Sequence, residues 1–435
     1  MPSVPRVLLL CHDTIQPFTG GGATLRALFS AFPPDALFSI HNDGHAVDRD
    51  RIGASYRVSD DDVRYVRPLN AARALGRTFA RARGATAGAA DSGPAAPSAG
   101  GLPIASGLRT LLDHACVIRL RPGVMAAVRS FKPDVLYGWL GDPLWGRSMV
   151  RLASDLRVPY VIHFMDNHIG LPSGDAWTAR LGAHLFRRQV DGAVAGASGV
   201  MAISDAMAEA YGRQWRRPLA VFHNVLDSTG WRPPEPREPN AVFELAFTGS
   251  IESGQLEGLL DVARAVERLR NEGLAVSLVL YVTDEYKRRV QGDFAAFAGV
   301  EMRPHPPAEG LRAALTRADA LILAYGFEPR TIEYYRYSFP TKLVPYMLSG
   351  TPILAYGPAA IAPLDYVVKG GWAATVTTRS ADALATALRT LMRGPDDRER
   401  LGRLAHEAAC REHDQSTVAA RFREYLRAAS AGECP

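Results

Sequence analysis

The stretch Tyr337–Pro358, YSFPTKLVPYMLSGTPILAYGP, decides how the rest of the chain is read. It predicts a loop, a helix, a glycine stop and a buried strand. Ser338 has the hydroxyl of an N-cap, and Pro340 suits an early helical position, where a missing N–H is no loss. Leu343, Val344 and Met347 recur at helical spacing and face a core. Gly350 ends the helix and Pro352 forbids its return, so Pro352–Tyr356 follows as a short apolar strand. The free N–H groups of the helix start, with Lys342 beside them, make an anion site for which a diphosphate is the natural ligand. Pro345 removes one donor, so the helix starts late or bends there. On spacing alone the same stretch also reads as an ordinary capped helix of an α/β unit.

Outward from it, strands and helices alternate in both directions. Arg6–Leu10 is apolar without alternation, as a strand buried on both faces must be. A loop from Asp13 closes in Gly20-Gly21-Gly22, and a helix is expected over Ala23–Phe32. Strands are predicted at Ala36–His41, Val63–Val66, Asp134–Tyr137, Pro159–Phe164, Val200–Ile203 and Val221–Asp227. Helices are predicted around Gly107–Ile118, over Pro122–Phe131 and Asp142–Leu156, and after the N-cap Ser204. The connector Trp231–Pro239, rich in proline, is the best domain boundary. Beyond it the alternation restarts, with strands at Phe243–Phe247, Val276–Tyr281, Val300–Arg303 and Ala318–Ala324. Helices over Ala381–Arg393, Asp397–Arg411 and Thr417–Ala429 close the chain. Repeated βα units predict parallel, doubly wound sheets in both halves, with ligand crevices at the C-terminal strand ends. The segment Arg81–Gly101 is Ala, Gly, Ser and Pro and reads as a mobile surface loop.

The chain has 435 residues, too many for one core and comfortable for two domains. No run of 18 apolar residues occurs and the N-terminus lacks a signal peptide's pattern, so a cytoplasmic location is expected. The four cysteines, Cys11, Cys116, Cys410 and Cys434, have no metal spacing and read as free thiols. A net charge of +5 points to anionic partners. The arginines form no dense run, which disfavours nucleic acid. Arg77, Arg81, Arg83, Arg109, Arg119 and Arg121 lie in one region, and contact with an anionic membrane and a solvated surface are evenly balanced readings.

Pro340, Thr341, Lys342, Leu343, Tyr346, Met347, Gly350 and Pro352 together resemble the nucleotide-sugar motif of GT-B glycosyltransferases, especially of the family 4 type. KPDVLY at Lys132–Tyr137, VMAISDAMAEAY at Val200–Tyr211, HNVLD at His223–Asp227 and FTGSI at Phe247–Ile251 extend the resemblance over most of the chain. It implies two Rossmann-like domains facing a central cleft: an acceptor-side domain over residues 1–235, with a mobile loop about 84–103, and a donor-binding domain over 236–412. Residues 413–435 would form a helix crossing back to the first domain. The implied activity is transfer of a sugar, with retention, from a nucleotide diphosphate to an acceptor hydroxyl, in surface polysaccharide or glycolipid synthesis.

The resemblance also assigns residues. Gly20, Gly21 and Gly22 would approach the donor, since only glycine lets backbone come so close; the alternative is a flexible turn. Gly249, Ser250, Ser338, Pro340, Thr341 and Lys342 would hold the diphosphate. Ser250 and Gln255 stand where the family often has Arg and Lys, and Pro345 stands where a Glu grips the ribose. Arg336 would supply the missing cation, or is a surface arginine. His163, Asp166 and His168 gather after the strand Pro159–Phe164, where the family contacts the reacting sugar. Asp166 would orient or deprotonate the acceptor hydroxyl; otherwise it caps a helix, and His163 is a core residue. No metal and no cofactor are implied, the nucleotide sugar being a substrate. A nucleotide-sugar 2-epimerase and a non-catalytic nucleotide-sugar- or partner-binding protein remain as alternatives. Oligomeric state, base, sugar and acceptor are not legible.

Overall fold

A computed structural model describes residues 4–65, 114, 116–167, 169, 177–232 and 240–433. The expected mobile loop, His168, Arg77, Arg81, Arg83, Arg109 and most of the proline-rich connector lie outside the described residues.

The first half builds a parallel sheet from β1 (Val7–Leu10), β2 (Leu37–His41), β3 (Ala54–Arg57), β6 (Val135–Trp139), β7 (Tyr160–Phe164), β8 (Gly199–Ala202) and β9 (Ala220–Val221), in the order β3-β2-β1-β6-β7-β8-β9. The second half builds another from β10 (Phe243–Thr248), β11 (Val276–Val282), β12 (Val300–Pro304), β13 (Ala320–Ala324), β14 (Ile353–Tyr356) and β15 (Ala374–Val376), in the order β12-β11-β10-β13-β14-β15. A small antiparallel pair, β4 (Val63–Tyr65) with β5 (Cys116–Ile118), sits beside the first sheet. Both large sheets reverse direction next to their first strand, at β1/β6 and at β10/β13. Ligand crevices of doubly wound sheets open at such switch points. Fully buried runs such as Val7–Leu10 and Ala320–Ala324 explain why these strands carry no alternation.

The last helix, Gln415–Ala431, leaves the second half and packs on the first sheet. Phe422 meets Phe29, Tyr137 and Phe222 edge-on, with ring centroids 5.0, 5.6 and 5.2 Å away. Just before it, Leu226 bridges to Asp414 and His413 Nδ1 lies 3.0 Å from the Asn224 carbonyl, where the two halves exchange chain.

Several expectations are corrected. Cys116–Ile118 is a strand, not the end of a helix: its three apolar residues pair with β4. Of Val221–Asp227 only Val221 is in a strand, because the chain then turns toward the second half. A 20-residue helix, Trp177–Gly196, had not been anticipated. Its glycines weaken the local signal, and packing against the helix Pro143–Leu156 holds it. The three glycines 20–22 are not a loop: they form the first turn of the helix Gly20–Leu28, capped by Thr19, whose Oγ1 accepts from Gly22 N at 3.0 Å. The central helix is only seven residues, Leu343–Ser349, and begins after Lys342. Ser338 does not cap it, and Pro345 is its third residue, where no N–H is required. Gly350 ends it at φ 66°, in the left-handed region that favours glycine.

Candidate active site

A cleft of about 390 Å³ lies between the two sheets, where both sets of C-terminal strand ends point. Its first wall comes from the end of β1 and the helix behind it (His12, Asp13, Gly20, Gly21), the end of β6 (Trp139, Leu140, Gly141) and the end of β7 (His163, Met165, Asp166). The second comes from the end of β10 (Ser250, Glu252, Gln255), from Tyr334 and Tyr335, and from Ser338 through Lys342.

Lys342 is half-buried in the second wall. Its Nζ stands 3.7 Å from the Phe247 ring centroid and donates to the Ser250 carbonyl at 3.3 Å. Burial brings its pKa down to about 7, and the nearby Glu252 carboxylate opposes that shift. Gly249 turns the chain beneath it at φ 104°, a conformation few residues other than glycine adopt. The short helix offers fewer donors than the sequence promised: Leu343 N already donates to Pro340 O at 3.1 Å, and Pro345 has no N–H. Among the described lining residues of the cleft, Lys342 is the one lysine or arginine. Arg336 pairs instead with Glu333 at 2.8 Å and does not line the cleft. Glu252 accepts from Tyr286 OH at 2.6 Å and puts a carboxylate close to where the resemblance implied cations.

The first wall is ordered by its own small network. A Cβ on Gly21 would come 1.8 Å from Asp13 Oδ2 and 3.0 Å from the Trp139 ring, and one on Gly22 would come 2.3 Å from Gln16 Nε2. Glycine here gives room to the site's own side chains. Gly20 alone faces across the cleft, toward Thr341. His12 Nε2 bonds Asp142, the N-cap of the helix Pro143–Leu156. Burial alone would lower the His12 pKa, but Asp142 outweighs it and holds the value above the ordinary range. Burial, with the Asp43 charge, raises Asp13.

Asp166 Oδ1 accepts from Ser338 Oγ at 3.1 Å, so two of the sequence-selected residues meet across the cleft. His163 is fully buried; its Nδ1 lies 2.8 Å from Tyr137 OH and its ring leans on Phe422. Burial lowers its pKa to about 3, so it stays neutral near pH 7. Three side chains of the first half hold the segment preceding Lys342: Asn167 Nδ2 donates to Glu333 O at 2.6 Å, Ser204 Oγ to Tyr337 O at 2.6 Å, and Asn224 Nδ2 to Phe339 O at 2.8 Å.

Sequence reading missed His12, Asp13, Trp139 and Glu252. The first three follow β1 and β6, the strands at the first switch point, so the crevice rule would have found them. Arg121, counted in the basic region, is tied to Asp62 at 3.3 Å. Among the described residues no group of three or more His, Cys, Asp or Glu could hold a metal ion, and no helix is long and apolar enough to cross a membrane.

No family model matches the chain. Glycogen synthase of Mycobacterium tuberculosis is 24% identical over 344 residues, covering 74% of this chain and 75% of that one. Anabaena HepE, solved with UDP-glucose, superposes with a TM-score of 0.61 at 14% identity, covering 97% of this chain and 99% of that one. Sucrose-phosphate synthase of Thermosynechococcus elongatus gives 0.62 at 14% identity, covering 98% of each chain. Trehalose 6-phosphate synthase of Burkholderia multivorans gives 0.61 at 13%, covering 98% of this chain and 99% of that one. Over nearly its whole length the chain has the GT-B fold of these glycosyltransferases.

Proposed function

We propose that the protein is a nucleotide-sugar-dependent glycosyltransferase that moves a sugar, with retention, from a nucleotide diphosphate to an acceptor hydroxyl. The observation that carries this is the placement of Lys342, half-buried beside Gly249 and Ser250 at the second sheet's switch point and facing the first domain across a sugar-sized cleft. In the reaction the bond from the sugar C1 to the diphosphate oxygen breaks and a bond from C1 to the acceptor oxygen forms. The leaving diphosphate takes the electron pair, and Lys342 balances the charge that develops on it. The acceptor proton passes to the departing diphosphate oxygen on the same face of the sugar, so that bond making, bond breaking and proton transfer balance. Asp166, held by Ser338, orients the hydroxyl. The solved neighbour with UDP-glucose makes that compound the first donor to try.

A second reading, a protein that binds nucleotide sugar without turnover, draws support from Glu252, which puts a carboxylate in the same wall as Lys342. Incubation with UDP-glucose and other nucleotide sugars, followed by assay of nucleotide diphosphate release, separates the two. Release at a catalytic rate supports the transferase; donor binding in a thermal-shift screen with no release supports the second reading.

A further inference from the structure

We infer that the acceptor is an uncharged carbohydrate, its ring laid on Trp139 and its hydroxyls taken by Asp13, and that a sugar carrying phosphate on the reacting ring is rejected. The inference rests on the transferase reading of the cleft and adds the acceptor's chemical class.

The first wall of the cleft is acidic, while the second pairs Lys342 with Glu252. Among its described lining residues Lys342 is the one lysine or arginine, and it belongs to the second wall. The first wall presents the carboxylates of Asp13 and Asp166. His12, the remaining basic group there apart from the neutral His163, is bonded to Asp142, so any charge it carries is already matched. A phosphate dianion brought to this wall meets like charge at short range with no arginine among the described lining residues to receive it, which costs affinity. A carboxylate offers acceptor lone pairs only, so its natural partners are hydroxyl donors such as those of a sugar.

The apolar half of the site is equally defined. Trp139 is half-buried and lines the cleft. Its Nε1 donates to Tyr137 OH at 2.9 Å, and Gly21 closes against the far edge of the ring. The indole is thus fixed in one orientation before any ligand arrives, which reduces the ordering cost of binding. A rigid aromatic beside a carboxylate suits the C–H face and the hydroxyl rim of a sugar ring together.

The test uses the full chain with UDP bound. Methyl α-glucopyranoside, other methyl hexosides and glucose 6-phosphate are compared by saturation-transfer NMR and, with UDP-glucose, as acceptors in turnover. At least one uncharged hexoside is expected to bind at least tenfold more tightly than glucose 6-phosphate, a difference of about 1.4 kcal/mol. Asp13→Asn should shrink that ratio severalfold at an unchanged melting temperature, and Trp139→Leu should weaken the hexoside without improving the phosphate. Equal or tighter binding of glucose 6-phosphate overturns the inference, as does binding of neither class. An unchanged ratio in Asp13→Asn removes Asp13 as the discriminator. Turnover reads the transferase proposal separately: clear hexoside preference in NMR with no UDP-glucose consumed in the presence of any hexoside would sink that proposal and reduce this one to a carbohydrate subsite on Trp139.

Discussion

The Lys342 ammonium stands 3.7 Å from the centroid of the Phe247 ring. The ring face favours the cation, but burial works against it and brings the pKa down to about 7 from the ordinary 10.5. The unfolded chain therefore holds the extra proton across that window, and the ligand-free protein gains stability as pH rises from about 7 toward 10.5. A diphosphate favours the charged form and raises the pKa again. UDP-glucose affinity should thus be full below pH 7 and fall as pH rises above it. Lys342→Met should abolish this slope and weaken UDP-glucose by roughly ten- to a hundredfold at pH 6.5, corresponding to about 1.5–3 kcal/mol, while the ligand-free variant melts no lower than wild type. Calorimetry at matched salt, in buffers of different ionisation enthalpy, reads affinity and proton uptake together. Unchanged affinity would falsify Lys342 as the phosphate ligand.

Pro345 offers the complementary change. It is the third residue of the helix Leu343–Ser349, a position that tolerates proline and also welcomes glutamate. Pro345→Glu should fold, and it should tighten uridine and UDP by a similar factor, since the resemblance gives glutamate there a ribose contact. A gain for neither ligand in calorimetry would show that this position does not face the ribose.

The three neighbouring glycines should respond differently to one methyl group. Gly22→Ala meets Gln16, including its backbone carbonyl at 2.8 Å, and should cost stability by about 1–3 kcal/mol. Gly21→Ala meets the mobile end of Asp13, so it should displace that carboxylate and lower transfer more than it lowers the melting temperature. Gly20→Ala faces only the Thr341 side chain, at 3.3 Å, and should be the best tolerated in thermal denaturation.

Acid should loosen the protein through two buried histidines. Burial takes His163 to about 3 and, with the His223 charge adding to it, His413 to about 4. Below the ordinary value of 6.5 the unfolded chain binds protons that the folded chain refuses, so stability is lost as pH falls. Each group contributes a slope of up to about 1.4 kcal/mol per pH unit. Denaturant midpoints between pH 7 and pH 5 should drop, and His163→Gln should flatten the decline. An equally steep decline in that variant would remove His163 as a cause.

Asn167 joins the halves with one end and is held by the other: its Nδ2 donates to Glu333 O of the second half, and its Oδ1 accepts from Tyr211 OH of the first at 3.0 Å. Asn167→Ala leaves both partners unsatisfied in a buried place and should cost about 1–3 kcal/mol. A thermal midpoint equal to wild type would show that water replaces the amide without loss.

What the amino-acid sequence determined by itself was local and periodic. Buried runs such as Val7–Leu10, the cap Ser204, the stop at Gly350 and the βα alternation are each readable within a few residues, because propensity, capping and burial pattern act at short range. These placed Lys342 at a helix start and Asp166 at a strand end. The tertiary structure decided what meets. Ser338 reaches Asp166 across 172 positions of chain, and Asn224 reaches Phe339 across 115. Such contacts depend on how two separately formed sheets face one another, which no local pattern encodes. The same applies to His163, whose strand position announced a cleft residue but not the packing of Phe422, from the far end of the chain, against its ring. It applies also to Glu252, a helix cap that the folding of the second sheet brings near Lys342.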